Sequence, residues 1–199
     1  MKTRSKALLL TLCAVLLVAA SVLGTMAYLT STDKVENTFT VGSVAITLDE
    51  ADVDVNGTPI KDAARVKENT YKLMPGHTYT KDPTVHVAAG SEDSWIFVKV
   101  EDGILKYEDN SSTIFDQIHT NGWEALNGPA NVFYKEYTKS DTVTDLAVFG
   151  ALNIANEADK VEGWGEDLAD AKVTVTAYAV QKDGFDTAAA AWNATFGKA

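Results

Sequence analysis

At 199 residues, 46% of them hydrophobic, the chain is long enough for one domain with a sizeable core, and its 17 Lys plus Arg against 28 Asp plus Glu give a formal charge of -11. That acidity argues against nucleic acid as a partner, which needs a basic footprint, and favours solubility outside the cell. Cys13 is the only cysteine, so no intrachain disulfide forms and packing alone must hold the fold.

Lys2, Arg4 and Lys6 precede an uncharged run over residues 7–29, which contains the small residues of Gly24-Thr25-Met26-Ala27. Basic flank, apolar core and small-residue site in that order predict a secretory signal peptide over residues 1–27 and a secreted product. An uncharged run of about 18 residues or more can also span a bilayer, so an uncleaved membrane anchor is the alternative. Lys34 stands alone beyond the run, with no stop-transfer cluster. Cys13 does not fit a lipoprotein cysteine, because Leu12 precedes it and the apolar core continues to Leu23. Loss of the leader removes three of the 17 cations and leaves 14 against 28 acids. The mature chain, residues 28–199, reads as a single domain with no further anchor.

Along that domain, Val44, Ile46 and Leu48 alternate with Ala45 and Thr47 after Phe39 and Val41, which predicts a strand within residues 35–48. Asn56-Gly57 predicts a hairpin with a type I′ turn, which needs positive φ at both central residues; Val53 and Val55 would face inward and Pro59 would close a strand. Short strands are expected at residues 71–73, before Pro75-Gly76, and at residues 84–87. WIFVKV, residues 95–100, is apolar on both faces except at Lys99 and reads as a central strand. Its expected partner is VTVTAYAVQ, residues 173–181, rich in β-branched side chains. Residues 131–138 read as an exposed strand, residues 145–153 as a further apolar segment and residues 157–170 as loop. A short helix is predicted over residues 112–118, with Ile114, Phe115 and Ile118 on one side. A second is expected near the C-terminus, capped by Asp186 and covering the sheets with Ala189, Trp192 and Phe196. Many short strands with turn punctuation predict a mostly β fold, a Greek-key or jelly-roll-like β-sandwich with a few short helices.

The segments GTMAYLTSTDKVENTFTVGSVAITLDE, YKLMPGHTYTKDPTVHV and VTVTAYAVQKDGFDTAAAAW together resemble the exported proteins of Gram-positive bacteria processed by a SipW-type signal peptidase, the TasA/camelysin (CalY) family. The similarity runs over the whole chain through loose motifs. It implies cleavage between Ala27 and Tyr28, with Thr25 and Ala27 in the recognised site, and delivery to the cell surface or the extracellular, biofilm matrix. For fibre-forming members it implies donor-strand complementation, in which the N-terminal segment of one subunit completes a sheet of the next. Here the donor would be residues 28–40, anchored by Tyr28, Leu29, Val35 and Phe39. The implied partners are the SipW-type peptidase and further copies of the chain or related matrix proteins. For camelysins the resemblance implies a cell-surface metallopeptidase.

Such a peptidase would hold zinc. His77, His86 and His119 are the only imidazoles, and no H-E-x-x-H sets two of them a helical turn apart beside a carboxylate base. His77 and His86 also read as ordinary turn and strand residues, and a zinc site would need distant Asp or Glu ligands. Asp52, Asp54, Asn56 and Gly57 open a D-x-D-x-N-G calcium-loop pattern, but Ala63 stands where the acid at position 12 belongs, and the same residues read as a solvent-facing hairpin. Ser31-x-x-Lys34 lacks a K-T-G partner. No catalytic residue and no cofactor is therefore expected, with zinc and calcium left open. Trp95, Trp123, Trp164 and Trp192 read as packing residues. The leading expectation is a secreted structural matrix component; the alternatives are a metallopeptidase and a secreted adhesion or binding module.

Overall fold

WIFVKV lies within β4 (Ser94–Asp102), the strand around which the sheets are arranged. The structure, a computed structural model, describes residues 12–17, 43–169 and 171–197. The chain divides into two compact units, residues 1–38 and 39–199. In the first, residues 12–17 are helical and exposed; among the described residues no helix is long and apolar enough to cross a membrane. The processing residues Thr25, Ala27 and Tyr28 and the donor anchors Leu29, Val35 and Phe39 lie outside the described residues.

In the second unit β4 pairs on one side with β6 (Val132–Tyr137) and on the other with β9 (Val173–Gln181), and β5 (Glu124–Ala125) flanks β6. All these pairings are antiparallel, and the register with β9 runs from Ser94 opposite Gln181 to Asp102 opposite Val173. Because both faces of β4 are covered, Ile96, Val98 and Val100 enter the main core while Trp95 and Phe97 enter a second cluster on the other face. A smaller antiparallel sheet has the order β1 (Ile46–Asp49), β3 (Thr84–Val87), β7 (Asp145–Ala147). Its core face carries Ile46, Leu48, Val85, Val87 and Leu146, which pack with the inner residues of β4 and β9. The third sheet is a pair, β2 (Thr78–Thr80) with β8 (Ala151–Asn153).

Two helices close the unit. α1 (Ile114–Thr120) starts with a full capping box between Thr113 and Asp116 and buries Ile114 and Ile118. α2 (Ala188–Thr195) lays Ala191 and Trp192 on the outer face of the large sheet, with the Trp192 ring 5.2 Å from Phe97 and 5.4 Å from Tyr178. The chain thus forms the mostly β, antiparallel architecture that its pattern predicts, with few short helices and one near the C-terminus.

Local details differ from expectation for physical reasons. The hairpin at Asn56-Gly57 has a three-residue loop. Gly57 N–H bonds to Asp54 O and Asp54 N–H to Thr58 O, and only Gly57, at φ 77°, is left-handed. This is a turn centred on Val55-Asn56 followed by a glycine bulge, where Asn56 keeps negative φ. Val53 is buried but Val55 is exposed. Residues 71–73 form no strand: the Tyr71 hydroxyl donates to Thr80 O, and the Tyr79 hydroxyl links Lys72 O to Met74 N–H. Tyrosine side chains thus replace a ladder there. Residues 132–137 are interior, between β4 and β5, with Val132, Phe133 and Tyr137 buried. The apolar segment 145–153 splits at a corner: β7 pairs with β3, β8 with β2, and Val148 and Phe149 between them are fully buried. Thr187, not Asp186, caps α2 by accepting from Ala190 N–H.

Candidate functional site

β9 is an edge strand of the large sheet and β1 an edge strand of the small one, and the two lie against each other on one side of the sandwich. The bonds Gly103 N–H to Lys172 O and Lys182 N–H to Asp93 O set the phase of the β4–β9 ladder. Since hydrogen-bonded and non-hydrogen-bonded pairs alternate, Val173, Val175, Ala177, Ala179 and Gln181 turn their backbone N–H and C=O groups away from β4. Among the described residues no strand pairs with that edge.

The side chains match the backbone. No residue of β9 is fully buried, whereas its neighbour β4 buries six of its nine. Val173, Val175, Ala177 and Ala179 face the main core yet are only half-buried, as are Val44, Ile46 and Leu48 on the β1 side. The result is a nine-residue edge, about 30 Å long at 3.3 Å per residue, bordered by apolar side chains. An edge strand without a ladder partner is a template for strand addition.

The outer face of the small sheet carries a charged network that sequence did not reveal. His86, on β3, places Nδ1 2.8 Å from Asp145 on β7 and Nε2 2.9 Å from Asp49 on β1. Hydrogen bonding to Asp145 raises the imidazole above its ordinary value; burial opposes this, and Asp49 adds to it. Burial pushes Asp49 up, but Arg65 and His86 outweigh it and hold the carboxyl low. The Arg65 guanidinium also reaches Asp82 at 2.9 Å and Thr84 Oγ1 at 3.2 Å. His86 alternates with two core valines like any outward strand residue, so nothing local betrays partners that are 37 and 59 residues away.

A second unforeseen group is buried. Asp102 Oδ1 accepts from Ile104 N–H and Glu108 Oε2 from Ile114 N–H, while Asp102 Oδ2 and Glu108 Oε1 meet no other donor among the described residues. The two carboxyls interact with each other. Burial first, then the nearby Asp102 charge, push Glu108 up to about 8; burial also raises Asp102.

The metal candidates fall apart in space. His77 is exposed in the turn before β2, His86 belongs to the network above, and His119 ends α1 with its ring 5.4 Å from Phe133. Asp54 spends a carboxylate oxygen on the N–H groups of Asn56 and Thr58, and Asp52 contributes its backbone carbonyl to Ile60. Among the described residues no three His, Cys, Asp or Glu side chains converge to hold a metal ion. Comparison with family models, curated proteins and solved structures returns no match.

Proposed function

We propose that this chain is a secreted structural component of an extracellular or biofilm matrix that assembles into fibres by strand donation. The observation that supports the reading is the β9 edge, which among the described residues has no ladder partner, with half-buried apolar residues on both walls. The segment suited to fill it is residues 28–40 of another copy, as the resemblance to the TasA/camelysin family suggests. Removal of the leader by a SipW-type peptidase between Ala27 and Tyr28 would release that segment, so processing acts as the assembly trigger.

Energetics decide where affinity must come from. Ordering each donor residue costs about 1–2 kcal/mol, and a net hydrogen bond returns about 0.5–1.5 kcal/mol, so backbone pairing roughly breaks even. Buried anchors, at about 1.5–3 kcal/mol each, supply the surplus. Phe39, Val35, Leu29 and Tyr28 are the apolar side chains available. Negative-stain microscopy of processed and unprocessed protein tests the reading. Filaments from the processed form alone are expected; processed protein that stays monomeric across salt and pH would overturn it.

A further inference from the structure

We propose that His86 is a proton-operated clamp across the small sheet, tying β1 and β7 to β3 while the imidazole is charged and letting β7 go when it is neutral.

The argument begins with ring chemistry. A charged imidazole has two N–H donors; a neutral one has a single donor and a bare lone pair. His86 faces a carboxylate at each nitrogen, 2.8 Å to Asp145 and 2.9 Å to Asp49. Both contacts are favourable only in the cation, and loss of the proton sets a lone pair against a carboxylate oxygen.

The surroundings decide which contact breaks. Asp49 is held independently by Arg65, which also grips Asp82, Thr84 and the carbonyls of Asp49 and Asp82. Lys67 donates to the neighbouring Leu48 carbonyl. Asp145 is 68% exposed and stands at the start of a three-residue strand, where water replaces the imidazole readily. The neutral ring therefore keeps Nε2–H on Asp49 and releases Asp145. The facing charges also balance in the closed state, with Asp49, Asp82 and Asp145 opposed by Arg65, Lys67 and the imidazolium. Deprotonation leaves a net negative patch beside a short edge strand, whose pairing with β3 runs only from the Thr144 carbonyl to the Val148 N–H.

The consequence for assembly rests on the strand-donation reading above. β1 forms one wall of the open side, and among the described residues β3 is its ladder partner. A loosened small sheet is a less preorganised receptor, so an incoming strand must order it as well. Assembly should then weaken as pH rises through the raised imidazole value.

Two measurements on the purified protein separate the clamp from its consequence. In the monomer, NMR should show His86 titrating above the ordinary histidine range, with the neutral ring protonated at Nε2. Exchange of the Leu146 and Val148 amides, which point into β3, corrected for intrinsic rates, should rise between pH 6 and 8.5, approaching about tenfold per pH unit by which the imidazole is raised. His86→Gln should remove that step, and Glu108→Gln should leave it. An ordinary or low titration, a neutral ring protonated at Nδ1, or a step that survives in His86→Gln would overturn the clamp. The wild-type titration decides alone should His86→Gln fail to fold. Filament yield should fall over the same window in wild type and stay flat in His86→Gln. A yield independent of pH in wild type overturns the link to assembly, and filaments at no pH overturn the assembly reading, while the monomer data still judge the clamp.

Discussion

The carboxyl groups of Asp102 and Glu108 are buried together at the end of β4, and burial raises both while the Asp102 charge raises Glu108 further. Two acids so close cannot both ionise, so the pair holds a proton near neutrality. Glu108 is pushed up to about 8 in the fold from its ordinary value of 4.5. The folded state therefore binds more protons than the unfolded chain between those values. The contribution is fully present below about 4.5 and is lost as pH rises through 8, with a slope of at most about 1.4 kcal/mol per pH unit. Denaturant unfolding at pH 5, 6.5, 8 and 9 should show this decline. Glu108→Gln, which stays neutral and can still donate to Asp102, should flatten it and exceed wild type at pH 9.

The open edge makes a prediction about proline. Ala177 points its N–H away from β4, so Ala177→Pro removes no bond of the existing ladder and is tolerated as an edge substitution. It should leave the monomer folded, with a small change in denaturation midpoint, while abolishing filaments. Val98→Pro, in a strand paired on both sides, should cost about 3 kcal/mol or more and unfold the monomer. Equal filament yields from Ala177→Pro and wild type would show that β9 is not the acceptor.

Anchors should dominate assembly over charge. Phe39→Ala, by removing about 1.5–3 kcal/mol of burial, should raise the critical concentration for filaments about ten- to hundredfold. Lys34→Ala should change it by less than about threefold, because exposed charges contribute little. Sedimentation of serial dilutions measures both.

The hairpin bulge offers a stability test separate from function. A Cβ at Gly57 would sit 2.6 Å from Tyr79 Cα, at φ 77°. Gly57→Ala combines backbone clash with left-handed strain and should destabilise by about 2–4 kcal/mol. Gly90 has a similar φ of 84° but open space around it. Gly90→Ala should cost only about 1 kcal/mol, and urea midpoints compare the two.

Much of the architecture could be read before any coordinates. Two-sided apolarity marked β4 as central, β-branched enrichment marked β9, and Thr84–Val87 was legible from alternation, because these are local properties of a residue and its near neighbours. The α1 face at Ile114 and Ile118 was equally local. The cap of α2 was misplaced by one residue, since Asp186 and Thr187 are both good caps and only the entry of the chain chooses between them.

What tertiary structure alone decided is which edges stay open and which charges meet. A strand's composition reports how buried it is, not whether a partner lies on each side, so the edge position of β9 among the described residues depended on the order of strands in space. Ala177 and Ala179 in an otherwise bulky strand were the faint local trace of it. Asp49, His86 and Asp145 come together only through the register of three strands, and Asp102 meets Glu108 only because the chain turns back at the end of β4. Composition and alternation determined that this acidic chain folds into antiparallel sheets; long-range pairing determined the order of the strands and which distant charges meet, because both depend on register between segments far apart in sequence.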